Sequence, residues 1–369
     1  MQQDGWDVWS DRGLLINPDP IVKTPELADD IQHAASTIPD LIAAGTLRTT
    51  LDRLPVQMLP NTDYVPMLES WYRTFAFLAT VYVHTPEQPP ARHIPAGIAL
   101  PLVDVAARLE RPPILSYCGF SLNNWRRRDP AGDLAIENLD PILRFTHSAD
   151  EAWFTLIHVA IEAQAACALE GMCRAADAAA SDDPETVEAN LAGIARGLTD
   201  MTATFRRMTD GCSPDIYFDH IRPFFFGFTN VIYDGAFDGQ PQTFRGGTGA
   251  QSSIIPALVA GLGVAHEQND LTQHLDAMQP YMPKPHREFI VSMKSSMIRA
   301  CVVRCQDATL TEVYNEALRR LLIFRQTHLG FARAYIYNKS KDAYGTGGTN
   351  FMDWLKQLAN ETERHLIKN

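Results

Sequence analysis

Two histidines lie on apolar faces of helical period. His328 sits in LLIFRQTHLGFARAYIY, where Phe324, His328, Phe331 and Tyr335 are spaced four, three and four apart and share one face. His158 sits in WFTLIHVAIEAQ, with Phe154, Ile161 and Ala165 on its side. An imidazole in such a place is commonly a satisfied core residue. Its other use is as the axial donor to a haem iron. Arg222 lies in the aromatic stretch DIYFDHIRPFFFGF, flanked by Tyr217 and Phe218. A guanidinium buried there needs an anion, either an internal carboxylate or the carboxylate of a substrate, which its planar fork grips with two hydrogen bonds. Two glycine-rich segments, FRGGTGAQSS (244–253) and GTGGTN (345–350), let backbone approach a ligand closely, though each alone reads equally as a turn. The fingerprints of dinucleotide and P-loop sites, zinc proteases and α/β-hydrolases are absent. Without CxxCH, covalent haem attachment is excluded.

The elements that must position these groups are mostly helices. Residues 1–115 are rich in proline, so helices there should be short, except for candidates at 62–83 and 97–110. Residues 116–148 read as a connector. Helical periodicity then dominates over 150–178, 184–208, 250–268, 284–303 and 309–337, with Asp182, Asp183 and Pro184 forming a helix start. Strand signals are few. The expectation is a mainly α protein with a small N-terminal domain (1–115), a connector (116–148) and a larger all-helical domain (149–369).

Composition bounds the function. The 369 residues carry 32 Lys+Arg against 44 Asp+Glu, a net charge of −12, which disfavours nucleic acid as a partner. No signal peptide or membrane span is expected, and cytoplasm is the default location. Cys118, Cys167, Cys173, Cys212, Cys301 and Cys305 are scattered and read as buried reduced thiols rather than a disulfide framework. Only seven of the basic residues are Lys and 25 are Arg, a bias that hints at a GC-rich bacterial genome.

Taken in order, these pieces resemble the indoleamine 2,3-dioxygenase family of haem enzymes, which open the indole ring of tryptophan. The resemblance rests on IPAGIALPLVDVAARLERPPIL (94–115), SLNNWRRRDP (121–130), FRGGTGAQSS (244–253), YMPKPHREFI (281–290), FRQTH (324–328) and GTGGTNFM (345–352). It implies one haem b per chain with O2 as co-substrate. It also implies His328 as proximal iron ligand, with Arg325 near a haem propionate. Arg222 would clamp the substrate carboxylate, and Phe154, Tyr217 and Phe218 would line the distal pocket. Thr248, between Gly247 and Gly249, would lie near ligand and haem, and Thr346 would belong to the loop that closes on the substrate ammonium.

Two departures stand out. The animal enzymes carry Ser where this chain has His158, while the sister tryptophan dioxygenases carry His. His158 could accept a hydrogen bond from the indole N–H or donate one to oxygen. Tyr217 replaces Phe and brings a hydroxyl that needs a partner if buried. The loop between His328 and Gly345 is also shorter than in the animal enzymes. The main expectation is dioxygenation of L-tryptophan or a substituted tryptophan to an N-formylkynurenine. The alternatives are a biosynthetic relative with a different oxidative outcome and an oxygen-binding haem protein without turnover. The oligomeric state is open.

Overall fold

The computed structural model describes residues 2–3, 5–340 and 351–368. It is 62% helix and 5% strand, as the mainly α expectation required.

In the proline-rich part, α1 (Val65–Val83) starts with Pro66 in its first turn, where a missing N–H costs nothing, and is buried along almost its whole length. Strand β1 (His93–Ile94) leads into α2 (Ala96–Arg108). Three shorter helices between Asp29 and Leu51 agree with the short helices expected in this part, although their positions were not read from the sequence.

The expected helix over 150–178 is two helices, α3 (Ala149–Gln164) and α4 (Ala166–Ala180), separated at Ala165. Both keep helical periodicity, so the break is invisible in the apolar pattern. Ser148 caps α3 by accepting from the Asp150 N–H, and Asp150 and Glu151 in the first turn complement the helix dipole. The run Ala149–Ala180 is by length and composition apolar enough to cross a membrane, but 67% of its most apolar window is buried inside the protein, as in a core helix. Next, α5 (Pro184–Arg206) begins where predicted, with Asp183 accepting from the Thr186 N–H and Pro184 in the first turn. A Cβ on Gly197 of α5 would lie 2.6 Å from the Ala168 nitrogen of α4, so only glycine permits this helix approach.

Strand β2 (Phe228–Tyr233) pairs in parallel with β1 and antiparallel with β3 (Gln242–Phe244). This small sheet joins the first hundred residues to the segment that enters the glycine-rich loop. The expected 250–268 helix is only α6 (Ile254–Gly261). The expected 284–303 helix is broken into α7 (Lys284–Met293) and α8 (Ile298–Cys305). The last long helix is α9 (Ala308–Ala332), capped by Asp307 and followed by a π-turn (Arg333–Tyr337) rather than ending at 337 as an α-helix. A further helix, α10 (Phe351–Arg364), packs on α9.

Two other π-turns occur, Cys118–Leu122 and Tyr217–Ile221. Such turns widen the helix by one residue and re-aim its side chains. The buried apolar residues form one cluster running from Val8 to Tyr335. All six cysteines are free thiols, but Cys167 is exposed and Cys305 half-buried, so the buried reading holds for the other four.

Candidate active site

Helix α3 supplies the first wall. Phe154 and His158 lie one turn apart, their rings edge to face at 4.6 Å. The His158 Nδ1 lies 2.7 Å from the Phe154 carbonyl. A carbonyl only accepts, so Nδ1 carries the proton and Nε2 presents a lone pair. Burial holds His158 below the ordinary imidazole range and favours this neutral form, although the Phe154 carbonyl acts in the opposite direction.

The π-turns supply the second wall. Tyr217 is buried with its ring 4.6 Å from Phe154 and 5.7 Å from Tyr335. Burial pushes its phenol up to about 12, against the pull of Arg222, so it is a neutral hydroxyl. Arg222 follows on a 3-10 turn, 8% exposed, its guanidinium over the rings of Phe218 at 5.3 Å and Phe226 at 4.9 Å. The other π-turn contributes Phe120. Its ring lies 5.7 Å from Phe154, 6.2 Å from His158 and 4.5 Å from Phe225. Sequence reasoning missed Phe120 and its neighbour Tyr117, because SYCGFSLNNW has no periodicity that assigns a face.

The glycine-rich loop closes against these aromatics. A Cβ on Gly246 would sit 2.0 Å from the Phe225 carbonyl oxygen and 2.6 Å from the Gly227 nitrogen. The strict demand for glycine therefore falls on Gly246. At Gly247 the same atom would make ordinary contact with Phe225, and at Gly249 it would meet nothing within 4 Å. Thr248 caps the 3-10 turn Gly249–Gln251, its hydroxyl accepting from the Ala250 N–H at 3.4 Å.

On α9, His328 packs beside Phe205 of α5 at 6.0 Å, and Phe205 also touches Phe324 and Phe331. Burial lowers His328 to about 4, with His158 acting in the same direction only where it is protonated, so the ring is a neutral donor at physiological pH. Among the described residues it has no hydrogen-bond partner. Tyr335 shares this side through Phe331 at 5.8 Å, and its hydroxyl donates to the Cys212 carbonyl at 2.6 Å.

Arg325, one turn before His328, is 6% exposed. Its Nη1 donates to the Leu358 carbonyl at 2.6 Å and to Thr362 Oγ1, fastening α10 to α9. Its Nη2 donates to His266 Nε2 at 3.2 Å, which leaves the His266 Nδ1 proton for Glu361. The Arg325 Nε remains buried without a partner among the described residues. Thr346, the proposed ammonium-facing residue, lies outside the described residues.

This donor set fits a haem. His328 offers one neutral, unengaged imidazole, and the described residues hold no group of three or more His, Cys, Asp or Glu that could bind a bare metal ion. A metal bound here needs a macrocycle to supply its other ligands. The buried Arg325 Nε is a charged donor suited to a propionate, and a Cβ on Gly330, two residues past His328, would meet nothing within 4 Å.

The family model described as indoleamine 2,3-dioxygenase matches residues 2–344. The chain is 29% identical to Indoleamine 2,3-dioxygenase 1 of Mus musculus, over 95% of this chain and 92% of that protein. It is 33% identical to Indoleamine 2,3-dioxygenase acdA of Aspergillus candidus, over 85% and 84%, respectively. It is 30% identical to the Indoleamine 2,3-dioxygenase of Saccharomyces cerevisiae, over 90% and 86%.

Proposed function

Because the chain belongs to the indoleamine 2,3-dioxygenase family, we propose that it is a haem-dependent dioxygenase inserting both atoms of O2 across the indole C2–C3 bond of L-tryptophan or a substituted tryptophan. The product is the corresponding N-formylkynurenine, and no external reductant is consumed in the insertion. The observation that carries the reading is the pair of neutral histidines. His328 has unengaged ring nitrogens, and His158 stands among the rings of Tyr117, Phe120 and Phe154.

In this reading His328 and Arg325 would hold the haem, one per chain, which would supply the activation of O2. The chain does the rest by position and electrostatics. Arg222 grips the substrate carboxylate, gaining strength from its aromatic, water-poor surroundings. Phe154, Tyr217, Phe218 and Phe120 confine the indole and exclude water. The His158 Nε2 lone pair accepts the indole N–H, so the first of its two sequence-level roles is favoured over donation to oxygen. Thr248, Gly247 and Gly249 form the ceiling, and Thr346 meets the ammonium. Because no strong base is demanded, a neutral imidazole suffices.

The division into residues 1–115, 116–148 and 149–369 remains our proposal for the domain plan, with the site mainly in the last part and Phe120 from the connector. Six free thiols accord with a cytoplasmic location. One observation favours a substituted substrate or a biosynthetic variant of the reaction: the Tyr217 hydroxyl, carried on a ring between Phe154 and Tyr335, makes no hydrogen bond to a described residue, so a polar substituent could pair with it.

The test is aerobic incubation of the ferrous, haem-loaded protein with tryptophan and its methyl, hydroxy and halo derivatives in isotopically labelled O2. Mass spectrometry should show both labelled atoms in one product. Incorporation of a single atom, or no product from any indole, rejects dioxygenation.

A further inference from the structure

Glu162 lies one turn beyond His158 on α3 and is 1% exposed. Its Oε1 accepts from the Tyr117 hydroxyl at 2.9 Å and from the Ser252 hydroxyl at 2.7 Å. Its Oε2 is buried with no partner among the described residues. Both hydroxyl donors belong to the pocket. The Tyr117 ring stands edge-on to His158 at 5.9 Å, and Ser252 follows the turn capped by Thr248. The same seam is completed by Gln251, which accepts from the Tyr117 N–H at 2.9 Å and donates to the Gly246 carbonyl at 3.0 Å. One carboxyl thus joins the helix of His158, the approach to the Phe120 π-turn and the glycine-rich loop.

We propose that Glu162 is a positioning residue of the distal wall, and that gain or loss of its proton changes the seating of the glycine-rich loop and the field at His158. The inference rests on the distal-pocket reading above. Protonated, the carboxyl keeps both hydroxyl bonds on Oε1 and carries its hydrogen on Oε2. Ionised, it keeps the same two bonds but leaves a bare anionic oxygen in an apolar wall, one helical turn from His158. That oxygen draws in water or a backbone N–H, and the loop is the adjacent element able to yield. The step is proton exchange alone.

The titratable groups facing Glu162 are few. They are the Tyr117 phenol, held well above its ordinary range by burial and by Glu162 itself, and His158 on the same helix. Gly13 packs on the Glu162 backbone carbonyl, but the neighbouring Arg12 is engaged by Asp11, Asp19 and the Ile16 carbonyl. Burial raises the Glu162 carboxyl to about 7, with the two hydroxyls opposing the rise, so exchange falls at physiological pH.

The test uses the ferrous protein with carbon monoxide as a probe of distal polarity. The infrared stretch should shift with pH about a midpoint near 7. Glu162→Gln should lock the stretch at its low-pH position, and Glu162→Asp should restore a transition. Ser252→Ala, which removes one donor to the ionised form, should move the midpoint up by about one unit. In parallel, hydrogen exchange of the peptide 244–253, corrected for intrinsic rate, should rise through the same pH range in the parent and stay flat in Glu162→Gln. A transition that survives unchanged in Glu162→Gln, or parent protein with no transition, overturns the assignment. Failure to form any carbonyl adduct overturns the haem reading instead, and the exchange measurement then still decides the role of Glu162.

Discussion

The tautomer of His158 yields a quantitative test. Its Nδ1 proton is committed to the Phe154 carbonyl at 2.7 Å, so the only role left to Nε2 in the neutral ring is acceptor. Removing an acceptor and leaving a buried donor unpaired costs about 1–3 kcal/mol, or about 5- to 150-fold in an equilibrium constant. His158→Ala should therefore weaken tryptophan binding to the ferrous protein by about that factor. For 1-methyltryptophan, whose ring nitrogen bears no hydrogen, the same substitution should cost less than about threefold. The assay is absorbance titration of both ligands on both proteins, which closes a cycle with an interaction energy of about 1–3 kcal/mol. Haem content should not change, because the proposed axial ligand is His328, and turnover should fall without vanishing. Equal losses for the two ligands would refute the acceptor role and point to packing or to donation toward oxygen. Loss of haem would refute the distal assignment itself.

Arg222→Ala should raise KM for tryptophan by about 30-fold or more, since truncating one member of a buried, hydrogen-bonded charge pair costs about 2–5 kcal/mol, while tryptamine, lacking the carboxylate, should be bound as before. An unchanged KM removes the clamp. His328→Ala should abolish the five-coordinate ferrous haem spectrum, and an unaltered spectrum rejects the axial role. Gly246→Ala drives a methyl group to 2.0 Å from the Phe225 oxygen, so denaturant unfolding should show a loss of about 1–3 kcal/mol with reduced activity; full stability would mean the loop simply shifts. Glu162 carries a stability signature of definite sign. Its folded carboxyl lies at about 7 against an ordinary value of 4.5, so its burial costs nothing below the ordinary value and progressively more as pH rises, reaching a plateau above 7. Glu162→Gln should match the parent near pH 4 and gain up to about 3 kcal/mol near pH 8, measured by denaturant unfolding; a gain confined to acid pH contradicts this linkage.

The sequence by itself determined the helical class, the two faces that carry His158 and His328, and the candidacy of Arg222. These are local properties: an apolar stripe of period 3.6 places its residues on one side wherever the helix lies. The helix start at Asp183–Pro184 was legible for the same reason, since a cap is a local hydrogen bond. Helix breaks that preserve the apolar pattern were not legible, and residues 150–178 and 284–303 each read as one helix. The π-turns were equally hidden, because one extra residue in a turn leaves no compositional mark, and with them went Phe120 and the aim of Tyr217. The tertiary structure alone decided which groups meet. It set the His158 proton on Nδ1, gave Arg325 to α10, moved the demand for glycine to Gly246, and placed Glu162 against Tyr117 and Ser252. All but the His158 bond, which spans a single helical turn, depend on groups far apart in the chain, and burial then turns a hydrogen-bond partner or its absence into a protonation state.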